Sequence, residues 1–275
     1  DTCFPELGLH RWRVIRPIRD LLQANGAAGR PTYSIEFFPP KTEEGEAKLF
    51  AETLPALRQM PVDFCSVTYG AGGSTRDKTL GLVDRIQREF DLTTMMHLTC
   101  VNATREELAA VIAEARARGV KNILALRGDP PGGTGEFKKT EGGFEFSREL
   151  VSHLQADGGF CIGTAGFPEG HIAQRAGRQV DWDFLVEKVR AGADFIVTQL
   201  FFNNDDYFRM RDHLHRQLGW PVPILAGLLP VVSRNQTKRF TAMCGAALPP
   251  AFLDRLEALG DDDAAVTDRK STRLN

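Results

Sequence analysis

Ser34-Ile35-Glu36-Phe37-Phe38-Pro39-Pro40 decides how the chain is read: an apolar run of β type with one acid inside it, ending in two prolines. A dinucleotide-binding open sheet would follow its first strand with Gly-x-Gly-x-x-Gly, and that fingerprint is missing here. Outward from this run, further β-rich segments recur at Asp63–Thr68, Thr93–Thr99, Asn122–Leu126, Phe160–Thr164, Phe195–Thr198 and Pro223–Ala226, with the first strand spanning Tyr33–Phe38. Between them, apolar residues at three- and four-residue steps predict helices over Glu43–Gln59, Lys78–Glu89, Arg105–Arg118, Ser147–Ala156, Trp182–Arg190, Asp205–Gln217 and Ser233–Cys244. Thr104 and Glu107 spell a capping box, and Gly119 marks the stop of the same helix.

A repeated strand-helix unit builds either a doubly wound sheet or a closed barrel. Polar residues gather where the strands end: Thr68-Tyr69, His97 and Thr99, Arg127-Gly128-Asp129, and Thr198-Gln199. In a barrel those ends surround one mouth, which is where barrel active sites are built. The expectation is an α/β fold, a (β/α)8 TIM barrel cut short before its eighth strand. Its expected organisation is an N-terminal extension or helix over residues 1–30, the barrel over 31–263, and an atypical tail over 264–275.

Composition confines function to a local site. The 275 residues are 42% hydrophobic and 25% charged, ordinary for a globular domain with a sizeable core. Thirty-four Lys and Arg against 36 Asp and Glu leave a net charge of -2, which gives no general field for nucleic acid or an anionic membrane. The 5 cysteines are an odd number without a Cys-x-x-Cys pair, so neither a disulfide framework nor a zinc site is suggested. No apolar run reaches the roughly 18 residues of a membrane span. A reducing, cytoplasmic setting is expected.

Glu36 is the sharpest single candidate, because apolar flanks would desolvate its carboxyl and raise its pKa toward the range of a general acid. A strand acid paired with an arginine explains it equally well. Asp129 precedes a Pro-Pro-Gly-Gly turn that could aim a carboxylate at a bound ring, or be only a turn. Gly70-Ala71-Gly72-Gly73-Ser74-Thr75 resembles a phosphate cradle but lacks the Gly-Lys-Ser/Thr ending of a P-loop, and reads better as a loop at the barrel mouth. His97 is read as a core histidine or a site residue. His213 and His215 point to different helix faces and make a poor metal pair, so no metal is expected. Phe201, Phe202 and Phe240 read as packing.

At these residues the chain resembles the methylenetetrahydrofolate reductases, over about Tyr33 to Asp263. The motifs stand in family order: Ser34 to Lys41, Ser66 to Gly73, His97-Leu98-Thr99-Cys100, Leu126 to Pro131, Thr198 to Phe202, and Gly227-Leu228-Leu229-Pro230. The resemblance implies a flavoprotein oxidoreductase of one-carbon metabolism in a (β/α)8 barrel, binding FAD. It would reduce 5,10-methylenetetrahydrofolate to 5-methyltetrahydrofolate in a ping-pong cycle with NADH or NADPH, a step toward methionine. Glu36 would protonate the folate as its five-membered ring opens, and Asp129 would face flavin and pterin. The family positions further imply FAD contacts from Thr68, Tyr69, His97, Arg127, Gly128, Asp129, Ser147, Phe167, His171, Asp181 and Lys188. Gln199, Gln236 and Phe240, with Asp129, would contact the folate.

Phe167 stands where bacterial relatives usually carry Tyr. Phe184 and Glu187 also depart from the family pattern and are left out of the site. The tail from Thr267 is unlike the family's last strand, and the short bacterial type is expected over one with a regulatory domain. A homo-oligomer is implied; NADH and NADPH are not distinguished. Two other readings stay open: a proline-dehydrogenase-like barrel flavoenzyme, and a non-catalytic barrel subunit or inactive fragment.

Overall fold

The computed structural model describes residues 15–69, 76–130 and 137–268. Its strands are β1 (Ser34–Phe37), β2 (Phe64–Val67), β3 (Thr94–Thr99), β4 (Asn122–Leu126), β5 (Cys161–Gly166), β6 (Phe195–Thr198) and β7 (Ile224–Leu225). They form a 7-stranded sheet in chain order. Pairing is parallel for β1 with β2, β2 with β3, β5 with β6 and β6 with β7. A parallel neighbour needs a crossover of a dozen or more residues, and helices supply it. The helices are α1 (Ile18–Ala27), α2 (Glu43–Lys48), α3 (Leu54–Leu57), α4 (Arg76–Phe90), α5 (Arg105–Ala117), α6 (Ser147–Asp157), α7 (Arg178–Arg190), α8 (Asn204–Leu218), α9 (Arg234–Cys244), α10 (Pro250–Leu259) and α11 (Asp263–Thr267), of which α2 to α8 lie between strands. The architecture is that of an α/β TIM barrel up to its seventh strand, with no eighth strand among the described residues. No helix among them is long and apolar enough to cross a membrane.

Every strand read from the sequence is present, its ends moved by a residue or two at most. The capping box forms as expected: Thr104 Oγ1 accepts from Glu107 N at 3.2 Å, and Glu107 Oε2 accepts from Thr104 N at 2.8 Å. The helix expected over Glu43–Gln59 is interrupted by a π-helical turn at Leu49–Thr53, where Leu54 N reaches back to Leu49 O. Pro55 accounts for it, since its ring collides with the carbonyl four residues back in an ordinary α-helix and a widened turn relieves the clash. The helices α10 and α11 are additions that the sequence reading did not contain.

The described residues fall into two compact units, the first within 1–123, 128–145 and 159–161, the second within 124–127, 146–158 and 162–275. In the first, α1 enters through Pro17 without a side-chain cap of its own. Asn122, fully buried at the start of β4, takes that role. Its Oδ1 accepts from Ile18 N at 2.7 Å, and its Nδ2 donates to Arg16 O at 3.0 Å and Thr94 O at 3.4 Å. Arg16 N reaches Thr93 Oγ1 at 3.4 Å and Arg19 N reaches Cys161 Sγ at 3.3 Å. All three strand residues stand where their strands begin, so α1 is seated on the end of the strands that barrels devote to stability.

In the second unit, Trp182, Leu185, Val186 and Val189 form one stripe of α7 and pack with Ile196, Met210, Leu214 and Val222. The approach is close: a Cβ on Gly166 would lie 2.8 Å from both Leu185 Cδ2 and Ile196 Cγ2. A separate cluster joins Phe252, Leu256 and Val266, against which Phe202 packs.

Asn122→Ala takes a partner from three backbone groups, two of them in buried bonds, a cost of about 3 kcal/mol. For a chain of this size that lowers the thermal midpoint by roughly 6–12 °C. Calorimetry checks this, and an unchanged midpoint contradicts the anchoring role.

Candidate functional site

Strand register builds the first group of candidate residues. Glu36 on β1 stands opposite Ser66 on β2. Side chains alternate between faces along a strand, so Glu36, Ser66, Thr68, His97 and Thr99 share one face of β1 to β3 and its extension. Ser66 Oγ donates to Glu36 Oε2 at 3.4 Å, and His97 Nε2 lies 3.4 Å from the same oxygen. This last contact is not an ion pair. Burial pulls the His97 pKa from 6.5 down to about 4, leaving the ring neutral. Its Nε2 is buried without a hydrogen-bond partner, and so is Thr99 Oγ1.

The Glu36 pKa is raised by burial, opposed by the hydrogen bond from Ser66. Desolvation is the cause that the sequence suggested, and register shows which groups stand against the carboxyl. Ile35 and Phe37 belong to the opposite face of β1, and Phe38 is 68% exposed; the neighbours that approach the carboxyl come from β2 and β3. The Glu36 side chain nevertheless keeps 46% of its surface accessible, so a ligand can reach a carboxyl whose charged form is disfavoured. Among the described residues the side chains in polar contact with the Glu36 carboxyl are Ser66 and His97, and no arginine pairs with it there.

Thr68 is buried, and its carbonyl accepts from Thr79 Oγ1 at 3.0 Å, which ties the end of β2 to α4. Tyr69 is half-buried at the same strand end. Gly128 has φ +85°, and a Cβ there would lie 2.6 Å from Val101 Cγ1 and 2.9 Å from Thr99 Cβ. Only glycine fits that position. Asp129 follows it and is exposed. The loop Gly70 to Thr75, and the turn from Pro131 to Gly133 after Asp129, lie outside the described residues.

A second group assembles within the other unit. Lys188 on α7 donates from Nζ to Ala165 O at 2.6 Å, at the end of β5. Burial holds its pKa at about 8, against the pull of Asp181 and with the repulsion of Arg127. Burial likewise raises the Asp181 carboxyl, while the charges of Lys188 and His171 and a backbone hydrogen bond from His171 oppose the rise. Phe167 meets the His171 ring edge-on at 4.6 Å, and its carbonyl accepts from Trp182 Nε1 at 3.0 Å. Ala173 N donates to His171 Nδ1 at 3.0 Å, so a neutral His171 carries its proton on Nε2.

Arg127, Phe167, His171, Asp181 and Lys188 are thus brought together, and Ser147, which opens α6, is not part of their contacts. Its neighbour Arg148 forms an ion pair with Glu187 of α7. Gln199 is half-buried: its N donates to Gly166 O at 2.8 Å and its Oε1 accepts from Leu200 N at 2.8 Å. Gln236, exposed, and Phe240, half-buried, are four residues apart on one face of α9. Phe201 stacks on Tyr207 at 5.4 Å and Phe202 on Phe252 at 5.5 Å, as packing. Thr99 was read from the sequence among the polar strand ends, but Ser66 was not singled out as a site contact; the signal was there, since it lies two positions along its strand from Thr68, which was.

Lys188 provides a pH test. Its folded pKa of about 8 lies below the unfolded value of 10.5, so the unfolded chain holds more protons between the two values and stability rises with pH across that window. Against Lys188→Met, the ligand-free parent should gain in thermal midpoint as pH is raised through it. A difference that stays flat contradicts the buried charge.

With this geometry in place, similarity to known proteins becomes informative. A sequence model described as methylenetetrahydrofolate reductase matches residues 21–272. The chain is 39% identical over 257 residues to Methylenetetrahydrofolate reductase (NADH) 1 of Arabidopsis thaliana, covering 90% of this chain and 43% of that protein. It is 35% identical over 234 residues to the 5,10-methylenetetrahydrofolate reductase of Escherichia coli, covering 85% of this chain and 76% of that protein. The chain therefore spans less than half the length of the plant relatives it matches. Among solved structures, oxaloacetate acetylhydrolase in complex with the inhibitor 3,3-difluorooxalacetate aligns with a TM-score of 0.50 at 12% identity, covering 96% of this chain and 89% of that one, a likeness of fold alone. On the family match across nearly its whole length, the chain belongs to the methylenetetrahydrofolate reductase family.

Proposed function

We propose that the chain reduces 5,10-methylenetetrahydrofolate to 5-methyltetrahydrofolate, with hydride drawn from NADH or NADPH by way of bound FAD. The observation that carries this reading is Glu36: an accessible carboxyl with a raised pKa beside a neutral histidine. A reachable carboxyl whose charged form is disfavoured is suited to donate a proton to a ring nitrogen. The same relationships place this chain with proteins named for that reaction.

The residues present fit a flavin. In the first unit, the unpartnered His97 Nε2 and Thr99 Oγ1 require a polar group to complete them, and Gly128 leaves no side chain in the way. Thr68, Tyr69, His97, Gly128 and Asp129 would hold its ring system. In the second, Lys188 with Arg127 offers concentrated positive charge that a diphosphate would relieve, and Ser147, Phe167, His171 and Asp181 would complete the contacts. When bound there, FAD would supply the two-electron redox chemistry that links the nicotinamide to the folate.

The chain's own side chains do the rest. Glu36 gives its proton as the folate ring opens, and the carboxylate of Asp129 stabilises the positive charge that develops on the substrate. Gln199 has its Oε1 engaged by Leu200 N, which leaves its amide NH2 group to donate to the pterin. Gln236 and Phe240 present one polar and one aromatic surface from the same face of α9 to the remainder of the folate.

Glu36→Gln separates the two halves of the cycle. In stopped-flow measurements, flavin reduction by NADH should proceed near the parent rate, while reoxidation by methylenetetrahydrofolate should fall by about 10²-fold or more. Reoxidation at the parent rate rules Glu36 out as the acid.

A further inference from the structure

Ser66 has no part in the reading above, yet its hydroxyl is the hydrogen-bond donor on the Glu36 carboxyl. The pairing is built in by the backbone, because parallel register sets Glu36 directly across from Ser66. Ser66 is buried, so it has little freedom to turn elsewhere. Its bond to Oε2 is slack at 3.4 Å. A hydroxyl facing an ionised carboxylate closes to about 2.6 Å and roughly doubles in strength. The other group on the same oxygen, His97, is neutral and cannot answer a developing charge with its own. The strand paired with β1 carries no charged side chain, β2 being Phe64-Cys65-Ser66-Val67, and in β3 beyond it His97 is the one titrating residue.

We propose that Ser66 is a positioning residue for the proton donor: its hydroxyl tightens on Oε2 as Glu36 gives up its proton. The inference rests on the assignment of Glu36 as the acid. In the step, the Glu36 O–H bond breaks and leaves its electron pair on the carboxylate, while an N–H bond forms on the folate nitrogen that separates from the bridging carbon. Ser66 keeps its own proton throughout and strengthens its bond to the oxygen that has become negative. The interaction is stronger after proton transfer than before, so it favours the transition state over the ground state.

The test uses the full chain loaded with FAD, as parent, Ser66→Ala, Ser66→Thr and Glu36→Gln, with reoxidation by methylenetetrahydrofolate followed against pH. Flavin reduction by NADH serves as the internal reference. Ser66→Ala should slow reoxidation by about two- to tenfold on the acid plateau, the equivalent of one hydrogen bond. The alkaline limb, where protonated Glu36 runs out, should move to higher pH, because the lost bond had favoured the carboxylate. Ser66→Thr, which keeps the hydroxyl, should restore both. A structural role alone would not move the limb.

A Ser66→Ala profile that superimposes on the parent, while Glu36→Gln has lost the folate step, overturns the role of Ser66 and leaves the acid in place. A Glu36→Gln chain that reoxidises at the parent rate overturns the assignment of the acid and this inference with it. Should Ser66→Ala fail to hold flavin, the Glu36 carboxyl is titrated by ¹³C NMR in ligand-free parent and Ser66→Cys, its signal identified by its loss in Glu36→Gln. An upward displacement of the midpoint supports the proposal, and coincident titrations overturn it.

Discussion

The alternation of side chains along paired parallel strands is the constraint from which fold and site both follow. Successive residues of β1, β2 and β3 point to opposite faces, and register then fixes which neighbours meet. One face carries Cys65 beside Thr94, whose side chains touch at 3.5 Å, together with the buried Val67, Met96 and Leu98. The other carries Glu36, Ser66, Thr68, His97 and Thr99. A register slip of one residue would exchange the two faces, so the arrangement that completes the core also delivers the acid to its partners. The seat of α1 on Asn122 fixes the opposite ends of the strands and leaves the C-terminal ends to chemistry.

Burial that disfavours charge is the common electrostatic theme. His97 is held neutral, Glu36 is biased toward its protonated form, and Lys188 is held well below the usual range of an amine. None of these states favours the ligand-free protein. Together with unpartnered polar atoms at His97 and Thr99, they describe a molecule whose polar groups are completed by what it binds. Cys65 is different: burial pushes its thiol up to about 12, which makes it an inert packing residue.

Much of this was legible in the sequence. All seven strands were, because a short β-rich run bounded by helical periodicity is a strong local signal, and the Thr104–Glu107 box was read with its reciprocal bonds. The π turn before Pro55 was not, since helical periodicity carries on through it. Nor was α10, whose buried Phe252 and Leu256 sit behind a double proline that reads as loop. Glu36 was read as a desolvated acid, and burial does raise its pKa; that Ser66 and His97 are the groups against it was not legible. What approaches it comes from adjacent strands, which only register reveals. The group around Lys188 depended on residues far apart in sequence, from Arg127 to Lys188, coming together, and resemblance to the family identified it where periodicity could not.

The central claim is that this chain binds a flavin and passes hydride through it to a folate. The most direct measurement is the visible absorbance of the purified chain with FAD, recorded without oxygen as NADH and then methylenetetrahydrofolate are added in turn. The account requires a flavin spectrum that bleaches with NADH and returns with methylenetetrahydrofolate in stoichiometric yield. A chain that takes up no FAD, or whose bleached spectrum does not return with the folate, contradicts it.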